Sequence, residues 1–197
     1  MEHEVRTARG GDLAGLAEIE NSGDAMFGEI GIVFPPGPTV AEQMIGRGAE
    51  IVVAGDPPVG FAAVEEVDGA AHLEQISVRG DLVGRGIGVL LLDEVKARAA
   101  AAGRPGVSLL TFRDVPWNGP WYARHGFAEL PRERWGPGIR SYWDAEIEAA
   151  CTNWGRGSSC GRRSGAPVKD LQCKGGNPGR SADVWPMDVR RVDEGER

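Results

Sequence analysis

The stretch Val83-Gly84-Arg85-Gly86-Ile87-Gly88-Val89-Leu90-Leu91-Leu92 decides how this chain is read. Before it, His72–Val78 alternates in the period-2 manner of a strand. After it, Ile87, Leu90, Leu91, Val95 and Ala99 form one apolar stripe at helical spacing, and Gly103 stands where a helix would end on a left-handed residue. A strand, a glycine turn and a helix make a place for an anion. Backbone N–H groups at a helix start have no intrahelical acceptor and sit at the positive end of the helix dipole. Glycine lets a phosphate come close to them, because no Cβ intervenes. Two common phosphate motifs fail on spacing. A dinucleotide GxGxxG begun at Gly84 meets Val89, and one begun at Gly86 meets Leu91. The Gly-Lys-Ser/Thr of a nucleotide-triphosphate loop is absent.

Working outward, Glu4–Ala8 reads as a first strand, with Asp12 capping a helix over Leu13–Glu20. Asn21–Pro38 is rich in glycine and proline and reads as a loop, with a broken helix near Met26–Phe27. Thr39 caps a short helix through Ile45. Glu50–Ala54 and Val59–Val67, joined by Gly55-Asp56-Pro57-Pro58, read as two strands around a tight turn. Past the long helix, Val107–Phe112 is a strand, Asn118–His125 a short helix and Phe127–Leu130 a further strand. The order β-α-α-β-β-β-α-β-α-β gives an α/β (α+β mixed) domain that combines antiparallel hairpins with one β-α-β crossover.

Composition narrows the function. The 197 residues carry 22 basic and 29 acidic side chains, a net charge of −7, which argues against nucleic acid as the main partner. Hydrophobic residues make up 41% of the chain, enough for an ordinary core, yet no run approaches the roughly 20 residues of a membrane span. Met1-Glu2-His3-Glu4 has neither the basic nor the apolar part of a signal peptide, so the expected location is cytoplasmic, with no membrane partner. Cys151, Cys160 and Cys173 have no CxxC spacing and no nearby histidine, so no metal is expected. Residues 151–197 change sign to a net +3 and hold only five Leu, Ile, Val and Phe. That segment is expected to be a disordered tail to a domain at 4–148, with one reservation: Val184–Val192 has the makings of an edge strand, weakened by Pro186.

The glycine turn and the segment downstream of it resemble the GNAT (GCN5-related) N-acetyltransferases. In that family Arg/Gln-x-x-Gly-x-Gly/Ala opens the long helix after the fourth strand. Gly86-Ile87-Gly88 match its glycines, whereas Val83 replaces its Arg/Gln. A second block, Asn118-Gly-Pro-Trp-Tyr122-Ala-Arg-His-Gly126-Phe127, is similar to the family's Asn…Tyr…Gly-Phe segment with slightly compressed spacing. The resemblance spans residues 4–148. It implies an acyl-CoA N-acyltransferase fold, a central splayed mixed β-sheet flanked by helices, and acetyl transfer from acetyl-CoA to a primary amine of a small molecule or peptide.

It also implies roles for particular residues. The pantetheine arm would pair with the open backbone of Ile76, Ser77 and Val78, and the pyrophosphate would lie on Gly84, Arg85, Gly86, Ile87, Gly88 and Val89, with Asn118 beside the cofactor. Tyr122 matches the family's general acid; a phenol, with an ordinary pKa near 10, holds its proton at neutral pH. The alternative for Tyr122 is an aromatic packed beside Trp121 and Phe127. For the base, His72 and Glu74 lie two apart on one strand and share a face. His72 falls where several members carry a catalytic glutamate, and histidine titrates near neutrality. A water chain is the alternative to both. Glu20, Asp24 and Phe27 are candidate walls of the acceptor pocket. A non-catalytic acyl-CoA-binding sensor remains the rival to an enzyme, and a homodimer is among the assemblies left open.

Overall fold

The structure is a computed structural model, and it describes residues 3–34, 36–153 and 184–190. Among these residues seven strands form one mixed sheet: β1 (Val5–Thr7), β2 (Glu50–Ala54), β3 (Gly60–Val67), β4 (Ala70–Val78), β5 (Gly106–Phe112), β6 (Ala128–Glu129) and β7 (Val184–Arg190). Their spatial order is β1-β2-β3-β4-β5-β7-β6. Only β4 and β5 run parallel, as a crossover through α3 (Ile87–Ala101) requires. The other helices are α1 (Leu16–Glu29), α2 (Val40–Arg47), α4 (Gly119–Arg124) and α5 (Pro137–Asn153).

Strand alternation explains the layers. In β2, Val52 and Ala54 join a core with Leu91, Leu92 and Val95 of α3, while Ile51 and Val53 pack with Leu16 and Ile19 of α1 and Met44 of α2. Both faces of the central strands are therefore covered, so β2 reads as a continuous apolar run. A third cluster seats Trp135 and, from α5, Ile139 and Trp143 against Val67, Leu130 and Leu110. The β3–β4 hairpin turns on Asp68-Gly69, both with positive φ, the geometry that matches strand twist.

Three expectations from the sequence need correction. The helix begun near Leu13 does not stop at Glu20; α1 continues to Glu29 through Gly23. A Cβ at Gly23 would lie 3.2 Å from the carbonyl oxygen of Val78, so glycine there serves a close approach of α1 to the end of β4 and not a loop. Second, α5 goes unseen in the sequence because its N-terminal cap comes from far away: the Asp68 carboxylate accepts the N–H groups of Gly138 and Ile139, both at 2.9 Å. Third, the fold does not end at 148–150. α5 continues to Asn153, and Val184–Arg190 is an interior strand, paired with β5 along seven residues and with β6 on its other side. Pro186 is opposite Leu110 in the β5 register. The part of the expected tail at 154–183 and 191–197 lies outside the described residues.

Candidate active site

The parallel pairing of β4 with β5 consists of two register pairs, Ala71 with Val107 and His72 with Ser108. Both strands continue, β4 to Val78 and β5 to Phe112, but among the described residues they no longer pair. The sheet therefore splays open immediately after His72 and Ser108. Along the open length β4 presents a free edge of backbone groups that need partners. Ile76, Ser77 and Val78 lie on this length.

At the far end of that edge stands the glycine turn. Gly84 and Gly86 have φ of +80° and +83°, and neither would bring a Cβ within 4 Å of another atom. Glycine is needed there for conformation, since an L side chain adopts that region at a cost. Gly86 caps α3, and both Val89 and Leu90 donate to its carbonyl at 3.1 Å. The N–H groups of the residues before them are the first of the helix and have no intrahelical acceptor. Arg85 and Val83 are exposed beside the turn, Val83 by 46%. A Cβ on Gly88 would lie 3.6 Å from Trp121 of α4 and 3.9 Å from Val78. The end of β4, the start of α3 and α4 thus meet at one point. Among the described residues no group of three His, Cys, Asp or Glu could hold a metal ion, and no helix is long and apolar enough to cross a membrane.

Tyr122 of α4 is 7% exposed and belongs to the α3-side core, with its ring 4.9 Å from Trp121 and 5.4 Å from Phe127. Among the described residues its hydroxyl has no hydrogen-bond partner. Burial pushes its pKa well above that of a free phenol, so the proton stays on. Asn118 precedes α4 and donates from Nδ2 to Thr111 Oγ1 at 3.1 Å, which ties the start of α4 to β5.

His72 is 1% exposed. Its Nδ1 is 2.9 Å from Ser108 Oγ, its Nε2 is 3.5 Å from Glu74 Oε2, and its ring lies 4.8 Å from that of Tyr142 of α5. His72 and Glu74 do come together, though not by simple alternation. Ala63 pairs with Gln75 and Val64 with Leu73, so Glu74 is the extra residue of a β-bulge. The bulge also shifts the alternation: Ala71 and Leu73 face the α3 core, and beyond it Ile76 and Val78 do.

The expected pocket walls divide. Glu20 is buried and accepts the N–H groups of Val40 and Ala41, each at 2.8 Å, so it caps α2 and is not free for substrate. Asp24 makes no such bond; burial, and then the charge of Glu20, raise its pKa to about 6. Phe27 contacts Phe34, Phe112 at the end of β5, and Trp117, with ring centroids 5.2, 5.8 and 5.6 Å away. Because Gly23 touches Val78 and Phe27 touches Phe112, α1 spans the mouth between the two splayed strands. Ser108 and Tyr142 are the residues around His72 that the sequence reading missed. Only the strand register brings Ser108 to the ring, so no local signal marks it. Among the described residues, an open cleft of about 330 Å³ lies beside the C-terminal half of α3, and one of about 130 Å³ beneath α5 reaches Ser108.

Residues 47–129 match the sequence model of the acetyltransferase (GNAT) domain. That span runs from the end of α2 to β6 and contains the splay, the glycine turn and α4. The fold is similar to solved GNAT structures. A GNAT-family acetyltransferase of Staphylococcus aureus Mu50 aligns with a TM-score of 0.57 at 19% identity, over 70% of this chain and 91% of that one. The PaiA N-acetyltransferase of Thermoplasma acidophilum, solved in complex with coenzyme A, aligns at 0.59 and 14% identity, over 97% of this chain and 100% of that one. The ribosomal-protein-S18-alanine N-acetyltransferase of Escherichia coli aligns at 0.60 and 17%, over 98% and 97%. The glycine turn, the splayed strands and α4 all lie inside the span, residues 47–129, that matches the GNAT acetyltransferase domain.

Proposed function

We propose that this acetyltransferase moves the acetyl group of acetyl-CoA to a primary amine of a small molecule or peptide, at the point where β4 and β5 part. The observation that carries the proposal is the splay itself, with an anion-binding helix start at its mouth. The residues present fit the co-substrate. An open strand edge accepts an extended amide-bearing arm by strand addition, and the glycine turn with the α3 N-terminus suits a pyrophosphate. Ile76, Ser77 and Val78 would hold the arm, Gly84 to Val89 the pyrophosphate, and Asn118 the neighbourhood of α4. Bound there, acetyl-CoA supplies an activated acyl group as a thioester.

The chain supplies the rest. Backbone N–H groups on the open length of β4 can donate to the carbonyl oxygen as it gains charge, a fixed dipole that needs no reorganisation. The His72–Glu74 pair takes the proton that the attacking amine must lose. Glu74 Oε2, 3.5 Å from Nε2, stands beside the nitrogen that receives it. Tyr122 gives its hydroxyl proton to the departing sulfur. Its hydroxyl has no hydrogen-bond partner among the described residues, so that donor is free to meet the sulfur.

Incubation of the full chain with acetyl-CoA and a panel of primary amines, with thiol release followed over time, tests the reading. Amine-dependent release and an acetylated product are expected. Coenzyme A binding without release for any amine would instead favour a non-catalytic acyl-CoA sensor.

A further inference from the structure

His72 is enclosed by groups that differ in what they can donate or accept, and this fixes which of its nitrogens is free. Ser108 Oγ lies 2.9 Å from Nδ1 and 3.5 Å from the carbonyl oxygen of Ala71. Both side chains are almost fully buried, His72 at 1% and Ser108 at 5% exposure. A carbonyl oxygen only accepts, so the serine hydroxyl, turned toward it, has its lone pairs left for Nδ1–H. At the other end, Nε2 and Glu74 Oε2 are also 3.5 Å apart but form no hydrogen bond, whereas the serine hydroxyl at that distance is aligned on its carbonyl. That arrangement suits a bare Nε2.

We infer that Ser108 is a positioning residue: it accepts from His72 Nδ1–H and so leaves Nε2, beside Glu74 at the start of the splay, as the proton acceptor. The inference rests on the acetyl-transfer reading and adds to it the residue that sets the base. The proton balance is simple. Nε2 gains the proton that the attacking ammonium or amine gives up, Nδ1 keeps its own, and Glu74 pairs with the imidazolium. The other titratable groups around the ring do not compete for Nδ1. Glu65 is opposite His72 on β3 and is paired with Arg47 of α2 at 3.4 Å; Arg47 also reaches the Tyr142 hydroxyl at 3.4 Å. Tyr142 offers His72 the face of its ring, and Glu146 of α5 feels the charge of Glu74.

The test reads the tautomer directly. Nitrogen-15 NMR of the histidine-labelled full chain, with His72 assigned by its loss in His72→Gln, should show Nδ1 protonated and Nε2 bare near pH 8. Ser108→Ala should move His72 toward the Nε2–H form, and Ser108→Thr, which keeps the hydroxyl, should restore the native pattern. An Nε2–H tautomer in the unaltered protein would overturn the inference. The kinetic arm uses acetyl-CoA with phenethylamine, spermidine and an alanyl peptide. On whichever amine is turned over, Ser108→Ala should lower kcat about 10²-fold with the KM for acetyl-CoA unchanged, and Ser108→Thr should recover most of it. Unchanged kcat in Ser108→Ala, where His72→Gln is impaired, would also overturn the assignment. Full activity in His72→Gln would sink the underlying choice of base, and with it the role of Ser108.

Discussion

Gly86 and Gly88 stand two residues apart in the turn, and alanine at each should act on stability with opposite sign while acting alike on the ligand. At Gly88, inside the first turn of α3, a Cβ meets Trp121 at 3.6 Å and Val78 at 3.9 Å, ordinary contacts that add packing. Alanine is favoured over glycine in a helix by roughly 0.5–1 kcal/mol. For a chain of this size that raises the thermal midpoint by about 1–4 °C. At Gly86 no atom lies within 4 Å of a new Cβ, so the change is purely conformational: φ of +83° costs an L residue roughly 1–2 kcal/mol. Gly86→Ala should therefore lower the midpoint by several degrees. Both variants hold a pyrophosphate back from the helix-start amides. Losing one charge-assisted hydrogen bond, about 1.5–3 kcal/mol, weakens coenzyme A by roughly 10- to 100-fold. Thermal denaturation of both ligand-free variants and calorimetry with coenzyme A give the four numbers. A Gly88→Ala protein that is stabilised yet binds coenzyme A as before would refute the placement of the pyrophosphate. A destabilised one would refute the packing argument.

Other outcomes follow from the same geometry. Tyr122→Phe should move the midpoint by no more than about a degree, because the hydroxyl has no partner among the described residues; as the general acid it should lower turnover about 10²–10⁴-fold, and unimpaired turnover would rule that role out. Truncation before Val184 should cost many degrees of thermal stability or yield an insoluble protein, since it strips a partner from β5 and β6 alike; an unchanged midpoint would show that β7 contributes nothing. Asp12, hydrogen-bonded to Arg6 and to the N–H of Arg9, has its pKa lowered to about 2, so its contribution is full above the ordinary carboxylate range and lost as pH falls toward 2. Acid titration of Asp12→Asn should show a flatter acid limb. Asp24 is the reverse: raised to about 6 by burial and by Glu20, it opposes folding as pH rises from about 4 to 6. Asp24→Asn should stabilise the fold at pH 7 and leave it unchanged at pH 4, as denaturant titrations at the two values would reveal.

What the sequence discloses and what it hides follow the range of the interactions. Local features were legible: the capping box of Thr39 and Glu42, the glycine turn, and the stripe on α3 are all written within a few residues. Features set by distant partners were not. Gly23 and Gly28 look like breakers, yet α1 passes through them, because at Gly23 the lack of a side chain lets the helix settle on Val78. Asp68 looks like a turn residue and is one, but it also caps a helix seventy residues away. β7 lies in a segment, 151–197, with only five Leu, Ile, Val and Phe, and it carries a proline, so composition argues for disorder; its partners β5 and β6 supply the pairing that the segment does not announce. Glu20 is the same lesson at the site. A carboxylate near a pocket suggests substrate, whereas a helix start twenty residues on uses it as a cap.

The chemistry assigned to this chain has to cross a sheet. Tyr122 belongs to the core on the α3 side, while His72 packs against Tyr142 of α5 on the opposite side. A continuous sheet would keep an acid and a base so placed apart, with paired backbone between them. Parting of β4 and β5 just beyond His72 and Ser108 removes that barrier and leaves a window. In the proposed reading the thioester arm would enter along the α3 side, with its pyrophosphate on the glycine turn, and the amine from the side of α1 and α5. The bulge at Glu74 serves the same end: it returns Ile76 and Val78 to the α3 core after Leu73, and sets the carboxylate next to the imidazole at the window's edge. The last parallel pair is then more than the end of a ladder. Ser108 meets His72 Nδ1 at 2.9 Å at the boundary between closed sheet and open cleft, so the residue proposed to orient the base is also the residue at which the sheet begins to open.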